Sequence, residues 1–244
     1  MIHFRAELHI HTVLSPCAGI EMIPQVIVEE ALRRGINLIA ISDHNASANV
    51  AAVLQAAEGT ELTVLPGIEL ETAEEIHLVC LFPDLAALAK FQEIVDLNLP
   101  PISNNEEFFG VQLIVNAFGD FICKDDRLLS TATSLSLETA AAQVLKLGGK
   151  VIPAHIEREE NGILARLGTV PVDFPTQILE ISRFGSREKV LAAHPELASF
   201  HIIQGGDVHY INDLLGAVLF DAPDNTLATI WQSIIKSDSN RAPN

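Results

Sequence analysis

The chain carries nine histidines, and six of them fall, with three carboxylates, on or near the ends of short apolar runs. His9 and His11 close the first run, and Asp43-His44 closes the second. Glu69 follows the run 62–65 across Pro66-Gly67, and His77 lies in a fourth run. His155 closes the run 150–154, and Asp207 and His209 follow the run 200–204 across Gly205-Gly206. Only His3, His194 and His201 fall elsewhere. A lone histidine is more often a hydrogen-bonded core residue than a ligand. The His-x-His pair shifts that balance, because residues two apart in a strand point to one face and both rings can reach one ion. Neutral imidazoles and carboxylates together suit Zn, Mn or Fe. A bound cation would also offset the desolvation cost of burying such groups.

The elements that must position these side chains alternate along the chain. Strands are expected at 4–10, 37–42, 62–65, 76–82, 150–154, 177–181 and 200–204, where short apolar runs are bounded by turn residues. Helices are expected at 24–34, 47–57, 84–97, 136–147, 186–193 and 225–236. Pro24 suits a first helical turn, Gly35 a helix stop and Asp84 an N-cap. This order predicts a parallel sheet or barrel with helices outside. In such folds ligands gather at the carboxyl ends of the strands, where the histidines are expected. Residues 98–133 break the rhythm, and a hairpin is expected there, with strands 112–116 and 121–124 about Gly119-Asp120. The segment reads as an insertion in a single domain spanning 1–236, followed by a polar, frayed tail at 237–244. Cys80 and Cys123 sit in apolar stretches and are expected in the core.

Composition narrows the class. The chain has 244 residues, and 48% of them are hydrophobic, enough to bury a sizeable core and exclude wholesale disorder. With 15 basic against 32 acidic residues the net charge is −17, which argues against gripping nucleic acid by bulk charge. Three scattered cysteines do not make a disulfide framework and fit a reducing cytoplasm. Residues 1–7 lack the order of a signal peptide, and no apolar run is long enough for a membrane span.

Five motifs in order resemble the PHP (polymerase and histidinol phosphatase) superfamily: Glu7-Leu8-His9-Ile10-His11-Thr12, Ser42-Asp43-His44-Asn45, Pro66-Gly67-Ile68-Glu69, Pro153-Ala154-His155 and Gly206-Asp207-Val208-His209. The resemblance runs from residue 5 to about residue 220. It implies a distorted (β/α)7 TIM-like barrel with a trinuclear metal site at the C-terminal rim of the strands, and phosphoester hydrolysis. It also implies a ligand set. His9, His11, Glu69 and Asp207 would hold the first ion. Glu69 would bridge to a second, completed by His77 and His155. His44 and His209 would hold the third, where the family has a further His or Asp on the loop after the His-x-His pair. Cys17 stands there, either as a thiolate ligand or as a small packed thiol. Glu7 replaces the family's usual Asp, and its added methylene could shift a hydrogen bond that orients a ligand ring.

The expected reaction follows from these assignments. Metal binding lowers the pKa of water to about 7, so hydroxide between the first two ions, beside Glu69, would attack phosphorus. Asp43 is a candidate proton carrier or hydrogen-bond acceptor behind His44, or equally a turn cap. Arg158 and Arg183, on the expected rim, are candidates for holding phosphate, with surface ion pairing as the alternative. A small phosphorylated metabolite or short nucleotide is the expected substrate, with no stable nucleic-acid partner and no membrane. The alternatives are a 5′-phosphate-directed exonuclease and a non-catalytic metal-binding regulatory protein. An amidohydrolase is a further option, since metal hydroxide also attacks carbonyls.

Overall fold

The structure is a computed structural model that describes residues 1–237. Its strands are β1 (Ile2–Ile10), β2 (Leu38–Ile41), β3 (Thr63–Glu71), β4 (His77–Leu81), β5 (Leu113–Val115), β6 (Phe121–Lys124), β7 (Lys150–Pro153), β8 (Ile178–Ile181), β9 (His201–Gln204) and β10 (Val218–Ala222). Its helices are α1 (Pro24–Arg33), α2 (Val50–Ala56), α3 (Leu85–Asn98), α4 (Glu106–Phe109), α5 (Leu137–Lys146), α6 (Ile163–Leu167), α7 (Arg187–Ala193) and α8 (Leu227–Lys236). The expected polar tail lies, from 238 onward, outside the described residues. Asp84 caps α3 by accepting from Ala87 N at 2.8 Å.

The sheet is mixed rather than parallel. Six strands run in the order β10-β1-β2-β3-β4-β7, and β8 pairs with β9 in a second sheet. The pairs β1–β2, β2–β3 and β8–β9 are parallel. The pairs β3–β4, β4–β7 and β1–β10 are antiparallel. The cause lies in connection length. Only residues 72–76 separate β3 from β4, and a parallel return needs a crossover of a dozen residues or more. Reading Pro66-Gly67 as the end of a strand is also corrected: β3 runs through to Glu71. Pro66 sits opposite Ile41, the last residue of β2, so its missing N–H falls where that ladder stops. Gly67 is required there, because a Cβ would lie 2.7 Å from the Ile41 carbonyl oxygen.

Side chains alternate strictly across the strands. Leu38, Ala40, Leu65, Val79, Leu81, Ile152, Ile178 and Ile203 form one apolar layer with α8 and its Trp231. Their neighbours Ile39, Ile41, Val64, Leu78, Cys80, Val151, Leu179 and Ile202 pack against the helices. Burial on both faces explains why the strands read as continuous apolar runs. The first layer ends in polar groups. By the two-residue period, Glu69 continues the face of Leu65, His77 that of Val79, and Glu180 that of Ile178. β1 is the exception: its register shift between Glu7 and Ile10 puts Phe4, Ala6 and Leu8 in the first layer but Ile10 in the second, so that His9 and His11 both face the rim. His77 stands at the beginning of its strand, yet it reaches the same rim because β4 runs opposite to β3.

The curl is tied beyond the named ladders. Ile156 N donates to the Glu180 carbonyl at 2.8 Å, linking the end of β7 to β8. His11 N donates to the Val208 carbonyl at 2.9 Å, linking the end of β1 to the chain after β9. Residues 98–133 hold α4 and the antiparallel β5–β6 hairpin. They are anchored on the loop after β1, where Leu113 N donates to the Val13 carbonyl at 2.9 Å. All four residues of β6 are exposed, so Cys123 is a surface thiol rather than a core one. The sequence reading omitted α4, α6 and β10.

Candidate metal centre

Glu69 is the hub of the rim. Its Oε1 lies 2.9 Å from His77 Nδ1, 3.1 Å from His9 Nε2 and 3.4 Å from His155 Nε2. Its Oε2 lies 2.9 Å from His44 Nδ1 and 3.4 Å from His11 Nε2. Asp207 Oδ1 lies 3.4 Å from His11 Nε2 and His209 Nδ1, and 3.5 Å from His9 Nε2. His11, His44 and His209 form a neighbouring triplet of donors. His155 and Asp207 both have positive φ, 29° and 44°, strain that clusters at functional sites.

The hydrogen bonds behind the rings fix which nitrogens face the centre. His9 Nδ1 lies 2.9 Å from Glu180 Oε1 and donates to it, leaving the Nε2 lone pair inward. Ser15 Oγ donates to Asp43 Oδ1 at 2.7 Å, so it accepts from His11 Nδ1 at 2.9 Å. His11 Nε2 is therefore also a lone pair, and it faces His9 Nε2 at 3.2 Å. His209 Nδ1 lies 2.9 Å from the Asp207 carbonyl oxygen, leaving its Nε2 free. Both oxygens of Glu69 and both ring nitrogens of His155 are buried without a hydrogen-bond partner. Lone pairs facing lone pairs in a buried site cost several kcal/mol unless a cation lies between them. The donor set thus fits divalent metal ions.

Without metal, protons take the role of the cation. Burial would push the His9 imidazole down, but the Glu180, Glu69 and Asp207 carboxylates hold it well above its usual range. His44, His77 and His209 are also raised against their burial, the first two by Glu69 and the third by Cys17 and Asp207. His11 goes the other way, lowered by burial and by His209 and His44. Burial would raise Glu69, yet His77, His9 and His44 keep it well below the carboxylate range. Burial would likewise raise Asp207, but His9 and His11 keep it low.

The remaining candidates fall into three positions. Cys17 lies at the exposed edge of the triplet, in hydrogen-bonding reach of His44 and His209. Its burial near the sulfur raises the thiol, but those two rings win and bring it down to about 6. Asp43 is fully buried and its oxygens are filled by Thr12 N at 2.7 Å, Thr12 Oγ1 at 2.8 Å and Ser15 Oγ. It anchors the loop and sets the His11 tautomer through Ser15. Arg158 Nη1 pairs with Asp207 Oδ2 at 2.7 Å at the rim, and Arg183 pairs instead with Asp213, so both guanidinium groups are already engaged.

Glu180, which holds the His9 ring, is the rim residue that sequence reasoning missed. Its signal was an acidic residue inside the apolar run 177–181. Glu7, expected behind a ligand ring, instead accepts from Gly206 N at 2.9 Å, Leu215 N at 3.1 Å and Gly216 N at 3.2 Å. Burial pushes Glu7 up to about 7. Gly205 has no room for a Cβ, which would lie 2.2 Å from Glu180 Oε2. Partners that orient a ligand histidine are worth roughly 10–100-fold in metal affinity. Glu180→Gln should therefore weaken metal binding by about that factor while leaving the far-UV spectrum intact, a titration with competing chelator being the measurement.

Comparison with known proteins fits this geometry. A family model described as PHP domain matches residues 7–125. The 5′-3′ exoribonuclease Rnm of Salmonella typhimurium is 33% identical over 85 residues, covering 33% of this chain and 28% of that protein. The lesion-specific endonuclease Q of Pyrococcus furiosus shares the fold at TM-score 0.71 and 20% identity, over 97% of this chain and 57% of that one. Endonuclease Q in complex with a 27-mer duplex bearing an abasic lesion gives TM-score 0.68 at 19% identity, over 96% and 56% of the two chains. An amidohydrolase of Chromobacterium violaceum gives TM-score 0.58 at 20% identity, over 90% and 92%. This chain thus spans little more than half of endonuclease Q, and its match to the exoribonuclease covers under a third of that protein.

These relatives overturn the expectation of a small substrate and no nucleic-acid partner. One degrades RNA by its name, and another is seen with duplex DNA. Net charge does not argue against such a partner, because cations held at this rim would attract phosphate locally whatever the rest of the surface carries. The ordered motifs, the histidine-lined rim and the family match point the same way: residues 7–125 match the PHP domain model, and the motifs at His155 and Asp207-Val208-His209 continue that likeness beyond the matched region.

Proposed function

We propose that the chain is a metal-dependent phosphoesterase that hydrolyses phosphate esters of nucleic-acid strands. The observation that carries this reading is Glu69, whose two buried oxygens make no well-formed hydrogen bond although five imidazoles lie within 3.4 Å of them. In this reading the seven strands β1, β2, β3, β4, β7, β8 and β9 form a distorted (β/α)7 barrel whose rim holds three ions. His9, His11, Glu69 and Asp207 hold one, and Glu69 with His77 and His155 a second. His44 and His209 hold the third, with Cys17 completing it. Zn, Mn and Fe all suit this mixture of imidazole, carboxylate and thiolate. Bound divalent ions supply Lewis-acid polarisation and acidified water at neutral pH.

The chain's own residues do the rest. Glu180 and the Ser15–Asp43 pair hold His9 and His11 with their lone pairs inward. Arg158 and Arg183 offer guanidinium groups to phosphate oxygens by exchanging their carboxylate partners for substrate. Relatives that process nucleic acid support a strand as substrate.

Two linked measurements test this. Elemental analysis of gently purified protein should find about three ions per chain, as the donor count allows, and fewer in His9→Ala. The same protein should cleave a 5′-phosphorylated, single-stranded oligoribonucleotide and lose that activity to chelator. A ratio near zero that persists after incubation with Mn, Zn or Fe would refute the reading, as would full metal loading without hydrolysis of any strand.

A further inference from the structure

Among the described residues, exposed aromatic side chains occur in only two places. Phe108, Phe109, Phe118 and Phe121 lie on the segment 98–133, and Phe184 and Tyr210 lie on the loops that follow β8 and β9. The second pair lies on loops that leave the rim: Tyr210 follows the candidate ligand His209, and Phe184 stands three residues past the end of β8, whose Glu180 holds His9. Tyr210 is 54% exposed. Phe184 is 89% exposed, which leaves almost the whole ring in water.

The loop that carries Phe184 is held at several points. The Phe184 loop is held by Glu157, two residues past His155, which accepts from Ser182 N at 2.9 Å. Gln204 Nε2 donates to the Arg183 carbonyl at 3.1 Å and the Ser182 carbonyl at 3.3 Å. Arg183 pairs with Asp213, whose N–H donates to the Tyr210 carbonyl at 2.8 Å. Before substrate takes the place of Asp213, one ion pair thus ties the two aromatic loops together. The Arg183 guanidinium also lies 5.4 Å from the centre of the Phe184 ring. A ring beside a guanidinium, on a loop that leaves a phosphate-cleaving rim, suits a base on the ring with its phosphate near the cation. Unpaired bases offer their faces to such a ring, and paired bases within a duplex do not. Stacking is also indifferent to net charge, so it suits a chain at −17.

We propose that Phe184 and Tyr210 are base-stacking positions that make single-stranded nucleic acid the substrate class of this centre. The inference rests on the phosphoesterase reading above and adds the specificity element to it.

The test uses metal-loaded protein with a 5′-phosphorylated, fluorescein-labelled octaribonucleotide and the same strand with abasic positions. Stacking on one ring is worth a factor of about 5 to 150 per base. Phe184→Ala and Tyr210→Ala should each raise Kd and KM on the intact strand by at least about fivefold, with kcat changing much less, and Phe184→Trp should restore binding. The variants should differ little from the parent chain on the abasic strand. Val172→Ala, at an exposed position in the segment between α6 and β8, is the control. Intact-strand binding equal to the parent chain, or an equal loss on the abasic strand, overturns the stacking assignment. So does a change confined to the sedimentation coefficient, which would make the rings a contact between copies. Failure of the parent chain to bind or cleave any strand removes the phosphoesterase reading itself. Cleavage by the parent chain with no difference in the variants removes only the stacking assignment.

Discussion

Glu69→Gln protein is expected to fold, to lose at least one metal ion per chain and to lose phosphoesterase activity by ~10³-fold or more. The size follows from position. Groups that merely orient a metal-bound histidine are worth roughly 10–100-fold, and Glu69 stands inside that shell. Its two oxygens lie between 2.9 and 3.4 Å from five imidazoles on β1, β2, β4 and β7 or the residues that follow them. Glutamine keeps the shape but removes the charge and gives one end two hydrogens, aimed at nitrogens whose lone pairs already face inward. The effect therefore combines lost ligation with a donor pointed at the ions. Asp221→Asn makes the contrast, since Asp221 pairs with His3 in an exposed contact at the start of β1, the opposite end of that strand from His9. It should leave metal content and turnover as they are, because exposed pairs contribute about 0–1 kcal/mol. Metal analysis and single-turnover hydrolysis on both variants decide the matter. A Glu69→Gln protein with a full metal complement would show that the carboxylate is not a ligand.

The sequence made the rim legible because ligands and strand ends are coupled. The two-residue period puts His9 and His11 on one side, and an apolar run followed by His or Asp marks where a strand meets a site. Those signals mark His9, His11, His44, Asp207 and His209, which the structure groups with Glu69 and His77 within ligand reach, His77 arriving there only because β4 runs antiparallel. What stayed hidden depends on partners distant in sequence. Glu180 orients His9 from 171 positions away, and no local pattern announces such a bond. The carboxylates held by Arg158 and Arg183 were equally unreadable, because Asp207 and Asp213 come to them only through the curl of the sheet. Strand direction failed for a different reason. Helix-like segments between strands imply parallel pairing, but the five residues between β3 and β4 forbid it, and counting them would have shown the hairpin. Net charge does not argue either way about the partner. A sum over 244 residues describes the surface field, whereas nucleic-acid phosphate answers to what lines the rim.

Removing the metal should destabilise the chain, and by more at pH 8 than at pH 6. In the metal-free protein His9, His44, His77 and His209 have folded pKa values above the ordinary imidazole value. A raised imidazole stabilises the fold fully below its unfolded value, about 6.5, and that contribution is lost as pH rises through the folded value. Glu69 and Asp207 have lowered values, so their contribution is present above about pH 4 and is lost as pH falls through the folded ones. The metal-free cluster is therefore most favourable between about pH 4.5 and 6.5, where carboxylates are charged and imidazoles protonated. Ligation needs those imidazoles neutral, so metal must displace their protons and its affinity climbs with pH. A ligand held at a hundred times its Kd stabilises by about 2.7 kcal/mol, or roughly 5–10 °C in Tm for a chain of this size, for each ion. The gap in Tm between metal-loaded and chelator-treated protein should accordingly be that large at pH 8 and shrink towards pH 6. His9→Ala should reduce the gap at pH 8 and flatten its slope, because one displaced proton has been removed. A gap that is constant with pH, or larger at pH 6, would mean that the buried imidazoles are structural and that the metal is held elsewhere.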